Sequence, residues 1–179
     1  MKVLPILLIL IAIGGIGFAV WNHMNKPPRP ESVDALVGKP APAIALRSLD
    51  GAKFNLADQA GKVILIDAWA TWCPPCRESL PHLQKLASDR RLASQGLVVW
   101  AINQAEAPDT VKNFLTENRY SFTVLLDNDD LMGNSYGISG IPTTLIIGRD
   151  GSVKFATEGF GSGSAEEIDE ALASVLNSK

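Results

Sequence analysis

The chain has two cysteines, and both fall in a single Cys-x-x-Cys at the end of an apolar run, Ile64-Leu65-Ile66-Asp67-Ala68-Trp69-Ala70-Thr71-Trp72-Cys73-Pro74-Pro75-Cys76-Arg77. At a helix start, cysteines at i and i+3 have Cα atoms about 5 Å apart on one face, inside the window that a disulfide requires. A reversible Cys73–Cys76 disulfide is therefore the implied redox group, and no other cofactor is called for. The alternative is half of a zinc site. It needs about two more Cys or His ligands at similar spacing, and His23 and His82 form no such pair, so no metal ligand set is expected. Cys73 sits where backbone N–H groups and the helix dipole favour a thiolate, which makes it the expected nucleophile. Cys76, one turn inside the helix, is expected to be more buried and to resolve the mixed disulfide.

A length of 179 residues and 46% apolar content suit one globular domain with an appendage. The net charge of -3 argues against a nucleic-acid partner. The appendage is N-terminal, where Val3 to Trp21 carries no charge and would span roughly 28 Å as a helix, enough to cross most of a bilayer. Gly17-Phe18-Ala19 loosely fits a cleavage site, so a removed signal peptide is the competing reading. Continuation of the run to Val20 and an interfacial-type Trp21 favours an uncleaved, single-pass anchor over residues 1–22. Asn25 to Glu31, rich in proline, reads as a stiff spacer within a linker over 23–36. The globular domain is then expected over 37–179.

Within that domain, Ile44 to Leu56 reads as a hairpin turning at Asp50-Gly51, and Val63 to Trp69 as a buried strand with Asp67 its one charge. A helix follows Cys73, with Leu80, Leu83 and Leu86 at helical spacing and Pro81 as a kink. Leu97 to Asn103 reads as a second buried strand, and Asp109 to Asn118 as a helix capped at its start. Phe122 to Leu126 is a third parallel strand, with a helical turn near Asp129 to Ser135. Thr143 to Ile147 and Val153 to Thr157 form a hairpin about Gly148-Arg149-Asp150-Gly151, and Ser164 to Leu176 a closing amphipathic helix. His82 reads as a solvated or packing residue.

Trp69-Ala70-Thr71-Trp72-Cys73-Pro74-Pro75-Cys76 at a strand end, Pro81 in the helix and the later Gly140-Ile141-Pro142-Thr143 together resemble the thioredoxin superfamily. More narrowly, they resemble the membrane-tethered bacterial thiol-disulfide reductases of the TlpA/ResA/CcmG, cytochrome c maturation type. The likeness spans about residues 37–176. It implies an α/β fold, a thioredoxin-like mixed sheet flanked by helices with an N-terminal hairpin extension, preceded by a transmembrane helix. It also implies a catalytic domain facing the periplasm or cell exterior. The partners would be exported disulfide-containing proteins, such as apocytochromes c, and a membrane electron donor of the DsbD/CcdA type.

The same resemblance assigns Pro142 as a cis-proline facing the cysteines. It places Trp72, Pro74, Pro75, Ile141, Thr143 and Gly159 around a substrate groove, with Phe160 as a further apolar wall. Asp67 matches the buried acid of thioredoxin, and burial should raise its pKa and make it a proton acceptor for Cys76. Many tethered relatives instead carry an acid three residues after the second cysteine, where this chain has Ser79; Glu78 is one position off that pattern. Two other classes fit less well. A thiol peroxidase would want a distinct resolving cysteine and an activating Arg, and a metal-delivery module would want a well-placed His.

Overall fold

The computed structural model describes residues 29–178, so the expected anchor over 1–22 lies outside the described residues. Seven strands form one mixed sheet: β1 (Ala45–Ser48), β2 (Lys53–Asn55), β3 (Val63–Trp69), β4 (Leu97–Gln104), β5 (Thr123–Asp127), β6 (Thr143–Ile147) and β7 (Val153–Glu158). Their order across the sheet is β2-β1-β5-β4-β3-β6-β7. The helices are α1 (Pro74–Ser88), α2 (Arg90–Ser94), α3 (Pro108–Asn118), α4 (Leu131–Tyr136) and α5 (Ser164–Asn177).

Strand β3 is central, and every one of its residues is buried because both faces of the sheet are covered. Val63, Leu65 and Trp69 point into one core with α1, α3 and α5, whereas Ile64, Ile66 and Ala68 point into a second core that includes Met132 and Tyr136 of α4. Helix α1 docks through Cys76, Leu80, Leu83 and Leu86. Each buried leucine contributes roughly 1.5–3 kcal/mol over an exposed one. This packing fixes the helix start, and so the cysteines, against the end of β3.

β3 runs parallel to β4 and antiparallel to β6, with Asp67 opposite Ala101 on one side and Thr144 on the other. The end of β3 and the start of β6 therefore meet at one edge of the sheet. That edge carries the site.

Two local expectations need correction. The packed body begins before Val37: Val33 and Leu36 lie three apart in a 3-10 turn, where side chains share a face, and both are buried in the second core. Arg29 also donates to the Ile138 carbonyl at 3.0 Å, so the expected linker over 23–36 is already docked midway along its length. The helix expected after Cys73 runs Pro74–Ser88 with Leu80, Leu83 and Leu86 buried, and the Asp89 carboxylate, accepting from the N–H groups of Arg91 and Leu92, starts the separate α2. Asp109 does not cap α3, whose first position is Pro108, a residue with no N–H to satisfy.

Candidate active site

Cys73 is the N-cap of α1 and is joined to Cys76 by a disulfide with Cα atoms 5.2 Å apart. Pro74 and Pro75 occupy the first helical turn and offer no N–H. The N–H of Cys76, 3.2 Å from Cys73 Sγ, is the donor that reaches that sulfur among the described residues. Both cysteines are buried, Cys76 completely. Beside them Trp72 stands 66% exposed, an apolar surface next to the reactive bond.

Facing the disulfide is the loop before β6, with a cis peptide bond between Ile141 and Pro142. Cys73 Sγ lies 3.5 Å from the Ile141 carbonyl oxygen. The loop is held from behind: Gly159 N–H donates to the Pro142 carbonyl at 2.7 Å, and Thr143 Oγ1 donates to the Gly140 carbonyl at 2.7 Å. Thr143 is fully buried, so it positions this loop and does not line a groove as the sequence suggested. Gly159 has a φ of +90, a conformation that a side chain would strain, and the space above it is open. Trp72, Pro75, Ile141 and Phe160 keep partial or full exposure, as does Pro74.

A residue that sequence reasoning passed over ties the cysteine loop to the sheet. The Glu106 carboxylate accepts from Thr71 N–H at 2.7 Å, Thr71 Oγ1 at 2.5 Å and Asn103 Nδ2 at 2.7 Å. Glu106 follows the end of β4, the neighbour of β3, so the parallel register brings it to the same edge. Its proximity to Thr71 depends on strand pairing and leaves no local signature. Arg77 is similarly placed. Its Nε donates to the Thr71 carbonyl at 2.7 Å and its guanidinium lies 5.3 Å from the Phe114 ring centroid. Thr71, two residues before Cys73, is thus gripped at its N–H, hydroxyl and carbonyl.

Asp67 is 2% exposed in the centre of β3. Loss of hydration raises its pKa to about 7, opposed in part by a hydrogen bond from Thr144 Oγ1 at 3.1 Å. Its other oxygen has no hydrogen-bond partner among the described residues. Asp67 faces α1 at Ser79, which shares a small cavity with it and donates to the Cys76 carbonyl at 2.9 Å. Glu78 is exposed on the outer side of α1. The acid position three residues after the second cysteine is filled by a buried serine, and Asp67 is the carboxyl on that side.

A mixed sheet that presents a helix-capping cysteine disulfide to a cis-proline loop defines a thioredoxin-like thiol-disulfide oxidoreductase. Residues 36–172 match the Redoxin family, and the chain belongs to it. The chain is similar to the thiol-disulfide oxidoreductase ResA of Bacillus subtilis, 30% identical over 146 residues that cover 82% of this chain and 78% of the relative. It also resembles the ResA of Geobacillus thermodenitrificans, 28% identical with 97% and 95% covered. Among solved structures, a thioredoxin family thiol:disulfide interchange protein from Chlorobium tepidum superposes with a TM-score of 0.66 at 26% identity, over 86% of this chain and 99% of that one. The protein is a thiol-disulfide oxidoreductase of the ResA type, with Cys73–Cys76 as its redox-active disulfide.

Proposed function

We propose that the protein works as a reductant of disulfides in exported proteins, apocytochromes c among them, and is itself re-reduced by a membrane electron donor of the DsbD/CcdA type. The observation that carries the direction is the sparse donor set at Cys73. A thiolate there would meet one backbone N–H, that of Cys76, since both intervening residues are prolines. Fewer donors stabilise the reduced form less, and a less stable reduced form is a better reductant. Arg77 adds a positive charge nearby, but its guanidinium is engaged by the Thr71 carbonyl and the Phe114 ring.

In the forward reaction the Cys73 thiolate attacks a client disulfide, and one client cysteine leaves as a thiolate. Cys76 then attacks Cys73 Sγ, closing the disulfide and releasing the second client thiolate. Asp67 takes the proton from Cys76, and Pro142 with Ile141 presents backbone to an extended client segment. Each turnover moves two electrons to the client.

Equilibration with glutathione buffers should give a potential well below about -120 mV, the range of a dedicated oxidant; a value that high overturns the reductant reading. The uncharged run Val3 to Trp21 supports a single-pass anchor in the bacterial cytoplasmic membrane, with the domain on its outer side. Protease added to intact spheroplasts should then remove that domain. Digestion only after lysis would place it on the other side.

A further inference from the structure

Asp67, whose Oδ1 has no hydrogen-bond partner among the described residues, lines a cavity of about 10 Å³. That is room for roughly one water molecule. The wall is apolar, with Leu83, Phe160 and Ile168 among its members, except for Asp67, Ser79, Thr144 and His82. Thr144 and Ser79 already donate elsewhere, to Asp67 Oδ2 and to the Cys76 carbonyl. Of the four, His82 is the one that leads outward. Its side chain is 13% exposed and its Nε2 sits 2.9 Å from Asp169 Oδ1 on α5, a side chain 44% exposed.

We propose that His82 and Asp169 form the proton exit of the active site, passing protons between Asp67 and solvent across one water held in this cavity. The inference rests on the reading of Asp67 as the proton acceptor. The Cys76 thiol gives its proton to the Asp67 carboxylate, and the Cys76 thiolate forms a bond to Cys73 as the Cys73–client bond breaks. Asp67 then passes that proton through the water to the His82 imidazole, which releases a proton from Nε2, beside the half-exposed Asp169, to bulk water, and the Asp67 carboxylate is restored. No electrons travel this route. Imidazole suits the task because it has two ring nitrogens, one of which can take up a proton while the other releases one. An exit is needed because Asp67 is 2% exposed and has no surface of its own through which to reset between turnovers.

The charged surroundings are few. The partners of Asp67 in β4 and β6 are Ala101 and Thr144, which bring no charge. From α1 come Cys76 and His82, from α5 Asp169, and Lys85 lines a surface groove together with Asp169. The bland alternative is that His82–Asp169 only ties α1 to α5. Such a tie would alter stability and leave proton delivery untouched.

The test is multiple-turnover reduction of insulin by the detergent-solubilised full chain with excess dithiothreitol as the electron source, followed against pH and against the concentration of a small diffusible buffer. His82→Phe should slow the reaction about tenfold at low buffer, an order of magnitude less than the loss of an acid–base group itself. Added imidazole should restore the rate. Asp169→Asn, at a half-exposed position, should shift the rate the same way and decides the matter if His82→Phe does not fold. Both should keep the step near neutral pH that Asp67→Asn loses. Wild-type rates without buffer dependence in both variants, with the step lost in Asp67→Asn, would overturn the exit and leave the acceptor role standing. If Asp67→Asn keeps the step, the acceptor reading falls and the exit with it.

Discussion

Cys76→Ser should turn the protein from a catalyst into a trap, with turnover down by on the order of 10³-fold or more and mixed disulfides accumulating on Cys73. The magnitude follows from geometry. The two cysteines have Cα atoms 5.2 Å apart at one helix start, so resolution by Cys76 is intramolecular. Well-oriented intramolecular groups reach effective molarities of about 10⁵ M, and even a small part of that outpaces millimolar external thiol. Cys73→Ser should be equally inactive but should trap nothing, because the attacking sulfur is gone. Non-reducing electrophoresis after acid quenching reads both outcomes. Mixed disulfides on Cys73→Ser and none on Cys76→Ser would exchange the roles of the two residues.

Much of this site was legible because its chemistry is local in sequence. The cysteine pair, the two prolines between them and the strand that feeds them lie within one stretch, and that stretch sets the spacing of the disulfide and the poverty of its donors. Asp67 was legible for a different reason: a lone carboxyl in an apolar strand is costly, and one of its oxygens has no hydrogen-bond partner among the described residues. What could not be read were contacts made by pairing across the sheet. Glu106 reaches Thr71 because β4 lies beside β3 in register, and Asp169 reaches His82 because α5 packs beside α1. Nothing in either local sequence announces the contact. Thr143 was misjudged because neighbours on a strand alternate between opposite faces, and adjacency to Pro142 says nothing about which way a hydroxyl turns. The start of the domain was misplaced because the prolines before it suggest a spacer, although Val33 and Leu36 beyond them carry the spacing of a docked turn.

Asp67→Asn should be more stable than the wild type above neutral pH and slower as an enzyme. In the folded protein the carboxyl titrates at about 7, against an ordinary value of 3.8. Between those values the folded state binds a proton that the unfolded state has released, so stability falls as pH rises from about 4 to about 7 and then levels off. The full penalty is on the order of 4 kcal/mol. An amide cannot ionise and escapes this loss, but it keeps the cost of a buried polar group beside Thr144. The net gain should therefore be roughly 2–4 kcal/mol at pH 8 and close to zero at pH 4. Urea unfolding of the oxidised proteins at the two pH values measures it. The rate should move the other way, by about 10²-fold, because Cys76 loses its proton acceptor, and the step near neutrality in the pH profile should vanish. A gain in stability that is the same at pH 4 and pH 8 would mean that Asp67 is not held protonated by burial. An unchanged pH–rate profile would leave it a core residue with no part in the chemistry.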